Sequence, residues 1–126
     1  MKKLLIAICF ITASFMSMAQ DYKGISDAFR GGNASALAAY FQTNLEYSDG
    51  GRSEELERSE VERRIKRFFQ DHEPTDFDIV HKGVSASDVH YCIAELKANS
   101  GDFRITLYLH PSEKTYRIKS IEIESE

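Results

Sequence analysis

Four residues in the C-terminal half of the chain carry side chains that could do chemistry together. They are His81, His90, Cys92 and Tyr116. An imidazole beside a thiol could form a nucleophile and its base, or a weak zinc site, and with the tyrosine these groups could line a small-molecule pocket. The structural alternative is that the histidines cap the open end of the core while the cysteine packs as a small hydrophobe.

The spacing of these residues argues against the catalytic and metal interpretations. No two histidines have tight helical or C-x-x-C-like spacing, so no metal or other cofactor is expected. No acid is placed to orient a histidine, because Asp78 and Asp88 fall on the opposite sheet face in the predicted register. Glu46 is the one carboxylate whose sheet face the pattern does not fix, so it is the only carboxylate candidate for a general base, beside His81, His90 and Tyr116 as further acid or base candidates. No catalytic residue is assigned, and the sequence favours a non-catalytic site over an enzyme.

Strand alternation is what would bring the four residues together. Strand patterns cover residues 76–82, 88–98, 102–110 and 115–124, and the short turns between them predict an antiparallel meander. A two-residue turn at Ser100-Gly101 would pair Cys92 with Leu109, and a hairpin centred between residues 85 and 86 would pair His81 with His90. Both registers place one apolar face inward. A change of phase in the last strand predicts a bulge at residues 119–120.

The opposite face of this sheet carries a second candidate site. Its residues are aromatic, apolar or polar strand formers: Tyr91, Ile93, Thr106, Tyr108 and His110. Aromatic residues with adaptable polar neighbours are typical of interfaces, so a homodimer or another partner protein is expected on this face. An ordinary half-exposed sheet explains the same residues equally well.

The N-terminal half supplies the helices that would pack on the sheet. Two short helical patterns are divided by Gly31-Gly32, with Asn33 as the N-cap of the second, and residues 52–58 form a loop or a short edge strand. The clearest helix spans residues 60–71 and is opened by the capping box Ser59-x-x-Glu62. Its apolar stripe has helical spacing and consists of Val61, Ile65, Phe68 and Phe69. The basic run at residues 63–67 could bind a polyanion, but acidic residues in the same two turns offset it.

The order of these elements resembles the nuclear transport factor 2-like superfamily, an α+β cone with N-terminal helices packed in the concave face of a bent antiparallel sheet. Four segments resemble a secreted Bacteroidota family, domain of unknown function 4783: residues 45–47, the Ser59-capped helix through Phe69, residues 79–83 and residues 99–101. That family implies no activity. The superfamily contains binding modules as well as small lyases and isomerases, so the fold alone does not choose between them.

The first nineteen residues have the pattern of a secretory signal peptide. Lys2 and Lys3 precede an apolar run that is too short to span a bilayer, and cleavage is expected after Ala19. The remaining 107 of 126 residues would form one domain, free in the periplasm or secreted, without a membrane anchor. The leader carries two of 16 basic residues and no acidic residue, so the formal charge falls from −4 to −6, which argues against nucleic acid as a partner.

The sequence therefore predicts a binding module for a small molecule or a protein, with a lyase or isomerase and an accessory domain of a cell-envelope assembly as alternatives.

Overall fold

The structure is a computed structural model that describes residues 22–112 and 115–126. The predicted signal peptide and its cleavage site lie outside these residues. Within them, no helix combines the length and the apolar character needed to cross a bilayer.

Three helices and six strands make up the described chain. The helices are α1 (Lys23–Arg30), α2 (Ala34–Ala38) and α3 (Arg58–Asp71). The strands are β1 (Phe41–Asp49), β2 (Arg52–Glu57), β3 (Pro74–Val84), β4 (His90–Ala98), β5 (Gly101–Ser112) and β6 (Thr115–Ser125). The predicted α+β class is therefore confirmed, and residues 52–57 form the edge strand rather than a loop.

The six strands form one sheet in the order β2-β1-β6-β5-β4-β3. Strands β3 to β6 are the antiparallel meander that the sequence predicts, while β1 joins β6 in parallel. One face of the sheet, here called the inner face, packs against the helices. The other is called the outer face.

The core lies between the helices and the inner face. The α3 stripe of Val61, Ile65, Phe68 and Phe69 is buried, as its spacing predicts. Phe29 of α1 stacks on Phe77 of β3 with 4.6 Å between the ring centroids. Because aromatic rings bury large areas and stack with a preferred geometry, these contacts fix the helices on the sheet.

The two helix starts differ in how well the sequence predicts them. Asn33 caps α2 as expected, since its side chain accepts a 3.0 Å hydrogen bond from the Ala36 amide. The prediction of a capping box at Ser59 is wrong, because α3 begins at Arg58 and the side chain of its N-cap residue, Glu57, makes no capping hydrogen bond. The Arg58 guanidinium instead donates to the Phe41 carbonyl at 2.9 Å, so a tertiary contact holds this helix start.

The β4–β5 register differs from the expected one by two residues. Cys92 pairs with Leu107 instead of Leu109, because the turn consists of Asn99 and Ser100. Both turn residues have negative φ, and Gly101 takes a positive φ of 139° at the start of β5. Since the shift is even, every side chain keeps its predicted face.

The expected pairing of His81 with His90 is wrong, and here the face changes as well. The β3–β4 register shifts between Ile79 and His81, so His81 pairs with Ile93 and Val84 pairs with His90. Such an irregularity places one extra residue in β3 and reverses the alternation beyond it. His81 consequently lies on the outer face. The predicted bulge in β6 is confirmed by the register shift opposite Tyr108 and Leu109.

Candidate functional site

Three of the four predicted pocket residues meet at one end of the inner face. The Tyr116 hydroxyl and the Nδ1 atom of His90 are hydrogen-bonded at 3.3 Å. Tyr22, the residue before α1, stacks on Tyr116 with a centroid distance of 5.0 Å. The Lys82 ammonium lies 5.7 Å from the centroid of the Tyr22 ring. Together these side chains cover the inner-face end, where Cys92 is fully buried.

Burial determines the chemistry of the sulfur and of the tyrosine above it. Burial raises the pKa of Cys92 to about 12, and the opposing effect of Lys82 is smaller. The thiol is therefore protonated at neutral pH, whereas a nucleophilic cysteine needs a thiolate. Burial, together with the neighbouring Cys92 and Tyr116, also raises the pKa of Tyr22. Both groups stay neutral, which suits an apolar end of the core.

His81 is separated from this cluster by the sheet. Its Nε2 atom lies 3.2 Å from the Tyr91 hydroxyl on the outer face. The sequence could not reveal this, because the alternation of Phe77, Ile79 and His81 continues through the register shift without interruption.

The other candidate ligands and bases do not converge either. Among residues 22–112 and 115–126, no group of three His, Cys, Asp or Glu side chains could hold a metal ion. Glu46, the only carboxylate candidate for a general base, is exposed and lies between Glu55 of β2 and Ser120 of β6 in the sheet. Its neighbours Leu45 and Tyr47 point inward and are buried, so Glu46 belongs to the outer face.

The outer-face candidates do lie together on β4 and β5. Tyr91 pairs with Tyr108 and Ile93 pairs with Thr106 in adjacent rows of the sheet. The Tyr91 and Tyr108 ring centroids are 6.4 Å apart, and the Tyr91 ring also lies across Gly83 of β3. All five predicted residues, His110 included, are half-buried.

A groove that sequence reasoning missed lies between the β1–β2 hairpin and α3, with a volume of about 490 Å³. The strand side contributes Tyr47, Asp49, Arg52 and Glu54. The Tyr47 hydroxyl is 3.4 Å from the Asp49 carboxylate, and burial, followed by that carboxylate, raises the pKa of Tyr47.

The helix side of the groove is basic and aromatic. It contributes Arg63, Arg64, Arg67, Phe68, Asp71 and His72. Arg63 and Arg64 both bind the Glu60 carboxylate, and these hydrogen bonds lower the pKa of Glu60. The basic run of α3 indicated the helix side of this groove in the sequence. The strand side of the groove becomes apparent only once β1 and β2 pack beside the helix.

Comparison with solved structures identifies the fold. A DUF4783 family protein of Bacteroides fragilis is 27% identical, with a TM-score of 0.77 over 82% of this chain and 96% of that chain. A Bacteroides ovatus member is 23% identical, with a TM-score of 0.76 over 82% and 93%. The chain is also similar to a structure described as Rd1NTF2_04 with long sheet, at 13% identity and a TM-score of 0.63 over 80% and 94%. The predicted nuclear transport factor 2-like fold is thereby confirmed.

The family assignment comes from the sequence match. No curated protein matches the chain. The family model "Domain of unknown function (DUF4783)" matches residues 22–124. The chain therefore belongs to the DUF4783 family, as its motifs predict.

Proposed function

We propose that the protein is a non-catalytic interaction module that works outside the cytoplasm and pairs with a second copy through its outer face. The observation that carries this proposal is the half-buried row of Tyr91 and Tyr108, flanked by Ile93 and by the exposed Val80. Aromatic side chains of this kind are enriched at protein interfaces.

The size of the outer face fits a dimer. Its strands are 6 to 12 residues long. Six strands spaced about 4.8 Å apart, with a rise of about 3.3 Å per residue, make a face of roughly 800 Å². This is about the area that each partner buries in a standard interface.

On strands β4 to β6, the charges of the outer face are arranged so that two copies would complement each other. Glu95, Glu122 and Glu124 lie towards the β4–β5 turn, whereas Arg117 and Lys119 lie towards the other end of the strands. A two-fold axis parallel to the sheet and perpendicular to its strands would place each acidic end over a basic end. Lys97 and Arg104 lie among the glutamates and offset two of them, and Glu46 and Glu55 lie beside the basic end on β1 and β2.

The inner face supports a non-catalytic role over the lyase or isomerase alternative. Among the described residues, Ser120 is the only polar or charged residue buried, apart from Tyr47 and Cys92 in the core. An isomerase or dehydratase of this fold needs an acid or base inside the cone. Glu46 and His81 lie outside it, which leaves His90 and Tyr116, hydrogen-bonded to each other, of the acid or base candidates.

Light scattering on residues 20–126 tests the dimer. The wild-type chain is expected to have twice its monomer mass at high concentration, and Tyr91→Glu and Tyr108→Glu are expected to give monomers. Gln70→Glu adds the same charge to the exposed side of α3 and serves as the matched control.

A charge swap tests the same pairing. Glu122→Lys and Lys119→Glu should each weaken pairing, and their combination should restore it. A wild-type monomer at every concentration would refute pairing. Co-purification with a stoichiometric envelope protein would favour the accessory-domain alternative.

The export part of the proposal rests on the leader pattern of residues 1–19. The full chain, expressed in a bacterium with an outer membrane, is expected in the periplasmic fraction with Gln20 as its N-terminus. Ala19→Arg should block cleavage, because the processing site requires small residues. An uncleaved wild-type chain in the cytoplasmic fraction would overturn this part alone.

A further inference from the structure

We propose that the groove between the β1–β2 hairpin and α3 binds a small organic acid with one carboxylate on a flat apolar body. Arg52 and Arg67 would hold the carboxylate, and Tyr47 and Phe68 would support the body. The volume of about 490 Å³ lies within the roughly 300 to 1,000 Å³ of small-molecule sites. This site is independent of the outer face.

The arginines of the groove differ in whether they already have a carboxylate partner. Arg63 and Arg64 are both bound to Glu60, and Arg64 also lies 3.5 Å from Glu54. Arg52 and Arg67 are exposed, and neither makes an ion pair with the residues that the structure describes. Since a guanidinium group presents paired donors that match a carboxylate, these two arginines are the available anchors.

The acidic residues of the groove limit the charge of the ligand. Asp49 and Asp71 line the same space as Arg52 and Arg67. A second negative charge on the ligand would lie near these carboxylates and would be repelled. The groove therefore suits a monoanion better than a polyanion or inorganic phosphate.

The floor of the groove is aromatic and rigid. Tyr47 and Phe68 are 3% and 6% exposed, so only an edge of each ring borders the groove, beside the half-buried ring of His72. Phe68 is held by an edge-to-face contact with Phe103 at 5.0 Å and by the His72 ring at 4.9 Å. His72 is in turn fixed by a 2.6 Å hydrogen bond between its Nδ1 atom and the Ser100 hydroxyl. A flat apolar body can lie against these ring edges and the His72 ring without disturbing the core.

Nuclear magnetic resonance titration of residues 20–126 tests the proposal with three probes. Benzoate carries both features, benzyl alcohol lacks the charge, and inorganic phosphate lacks the apolar body. We expect saturable shifts of the amide signals of residues 47–54 and 63–72 with benzoate, and about tenfold weaker binding of the other two probes. Equal binding of phosphate, equal binding of benzyl alcohol, or no shift in these segments would overturn the proposal.

Variants separate the two anchoring arginines from general charge effects. Arg52→Gln and Arg67→Gln should each weaken benzoate binding about tenfold, because each removes a charge-assisted hydrogen bond. Arg104→Gln removes the same charge from the outer face and should leave binding unchanged. Tyr91→Glu should also leave it unchanged, so failure of the dimer and failure of this site can be told apart. Unaltered binding in both groove variants with a native amide spectrum would rule the site out.

Discussion

The Tyr116 hydroxyl and the Nδ1 atom of His90 are 3.3 Å apart, and their hydrogen bond connects β6 to β4 across the intervening β5. The stacked ring of Tyr22 extends this contact to the start of α1. The three side chains cover the end of the inner face where Cys92 is fully buried. The arrangement explains why a histidine, a cysteine and a tyrosine can be neighbours without forming a nucleophilic site.

The first prediction concerns the reactivity of this thiol. At pH 8, Cys92 of native residues 20–126 should react with a disulfide reagent at least about 100-fold more slowly than in the unfolded chain, because its pKa is raised to about 12 and it is buried. Ser87→Cys in a Cys92→Ala background places a thiol in the exposed β3–β4 turn and should react quickly. Rapid stoichiometric labelling of the native wild-type chain would contradict the structure.

The same pKa shift predicts a loss of stability at high pH. The folded chain keeps the Cys92 proton up to about pH 12, whereas the unfolded chain releases it near the ordinary thiol value of about 8.5. The contribution of the neutral thiol to the free energy of unfolding is therefore full below that value and decreases as the pH rises towards 12. Denaturant unfolding of the wild type and of Cys92→Ala across this range should show their difference shrinking.

The second prediction concerns the aromatic contact between α1 and β3. Phe29→Ala should lower the free energy of unfolding by about 3 to 5 kcal/mol, because it removes a fully buried ring and its stacking on Phe77. Val80→Ala is the control, since Val80 is 60% exposed and its truncation should cost less than about 0.5 kcal/mol. Similar losses for the two variants would contradict the described core.

The third prediction distinguishes the two helix starts. Asn33→Ala should cost about 1 kcal/mol, because the Ala36 amide loses its cap. Ser59→Ala should be nearly neutral, because Ser59 lies inside α3 and is exposed. Chemical denaturation of both variants checks this contrast. A larger loss of stability for Ser59→Ala than for Asn33→Ala would show that Ser59 does cap α3.

These helix starts show why local patterns predict some boundaries and miss others. The Asn33 cap is a contact between residues three apart, so the local sequence contains all of it. The start of α3 depends on a hydrogen bond from Arg58 to the Phe41 carbonyl, 17 residues away, which no local motif encodes. The arginine groove has the same origin, since its two sides come from residues 47–54 and 63–72.

The turn before β4 explains the misplaced histidine. The hairpin pairs Val84 with His90, so its centre lies at residue 87 rather than between 85 and 86. Asp88 adopts a positive φ of 60° there, a conformation that aspartate tolerates better than most residues. With the loop longer than expected and an extra residue in β3, alternation alone put His81 on the wrong face. The inward-facing apolar residues of β4 and β5 were predicted correctly. The predicted register of their turn was off by two residues, and an even shift leaves every side chain on the same face.

The fourth prediction concerns Gly83, whose missing side chain leaves room for Tyr91. A Cβ atom at this position would lie 2.5 Å from both the Cζ atom and the hydroxyl oxygen of Tyr91. Gly83→Ala should therefore displace the Tyr91 ring and break its 3.2 Å hydrogen bond with His81. The Tyr91 ring signals in nuclear magnetic resonance spectra should move, and self-association through the outer face should weaken without any change of charge.

The neighbouring Val84→Ala provides the matched control for this variant. Val84 is 57% exposed, and its truncation removes side-chain volume at the same edge of β3 without contacting the Tyr91 position described for Gly83. Its Tyr91 signals should stay near those of the wild type. If Gly83→Ala moves the ring but leaves the dissociation constant unchanged, Tyr91 does not contribute to pairing. If the ring does not move, its described position across Gly83 is wrong.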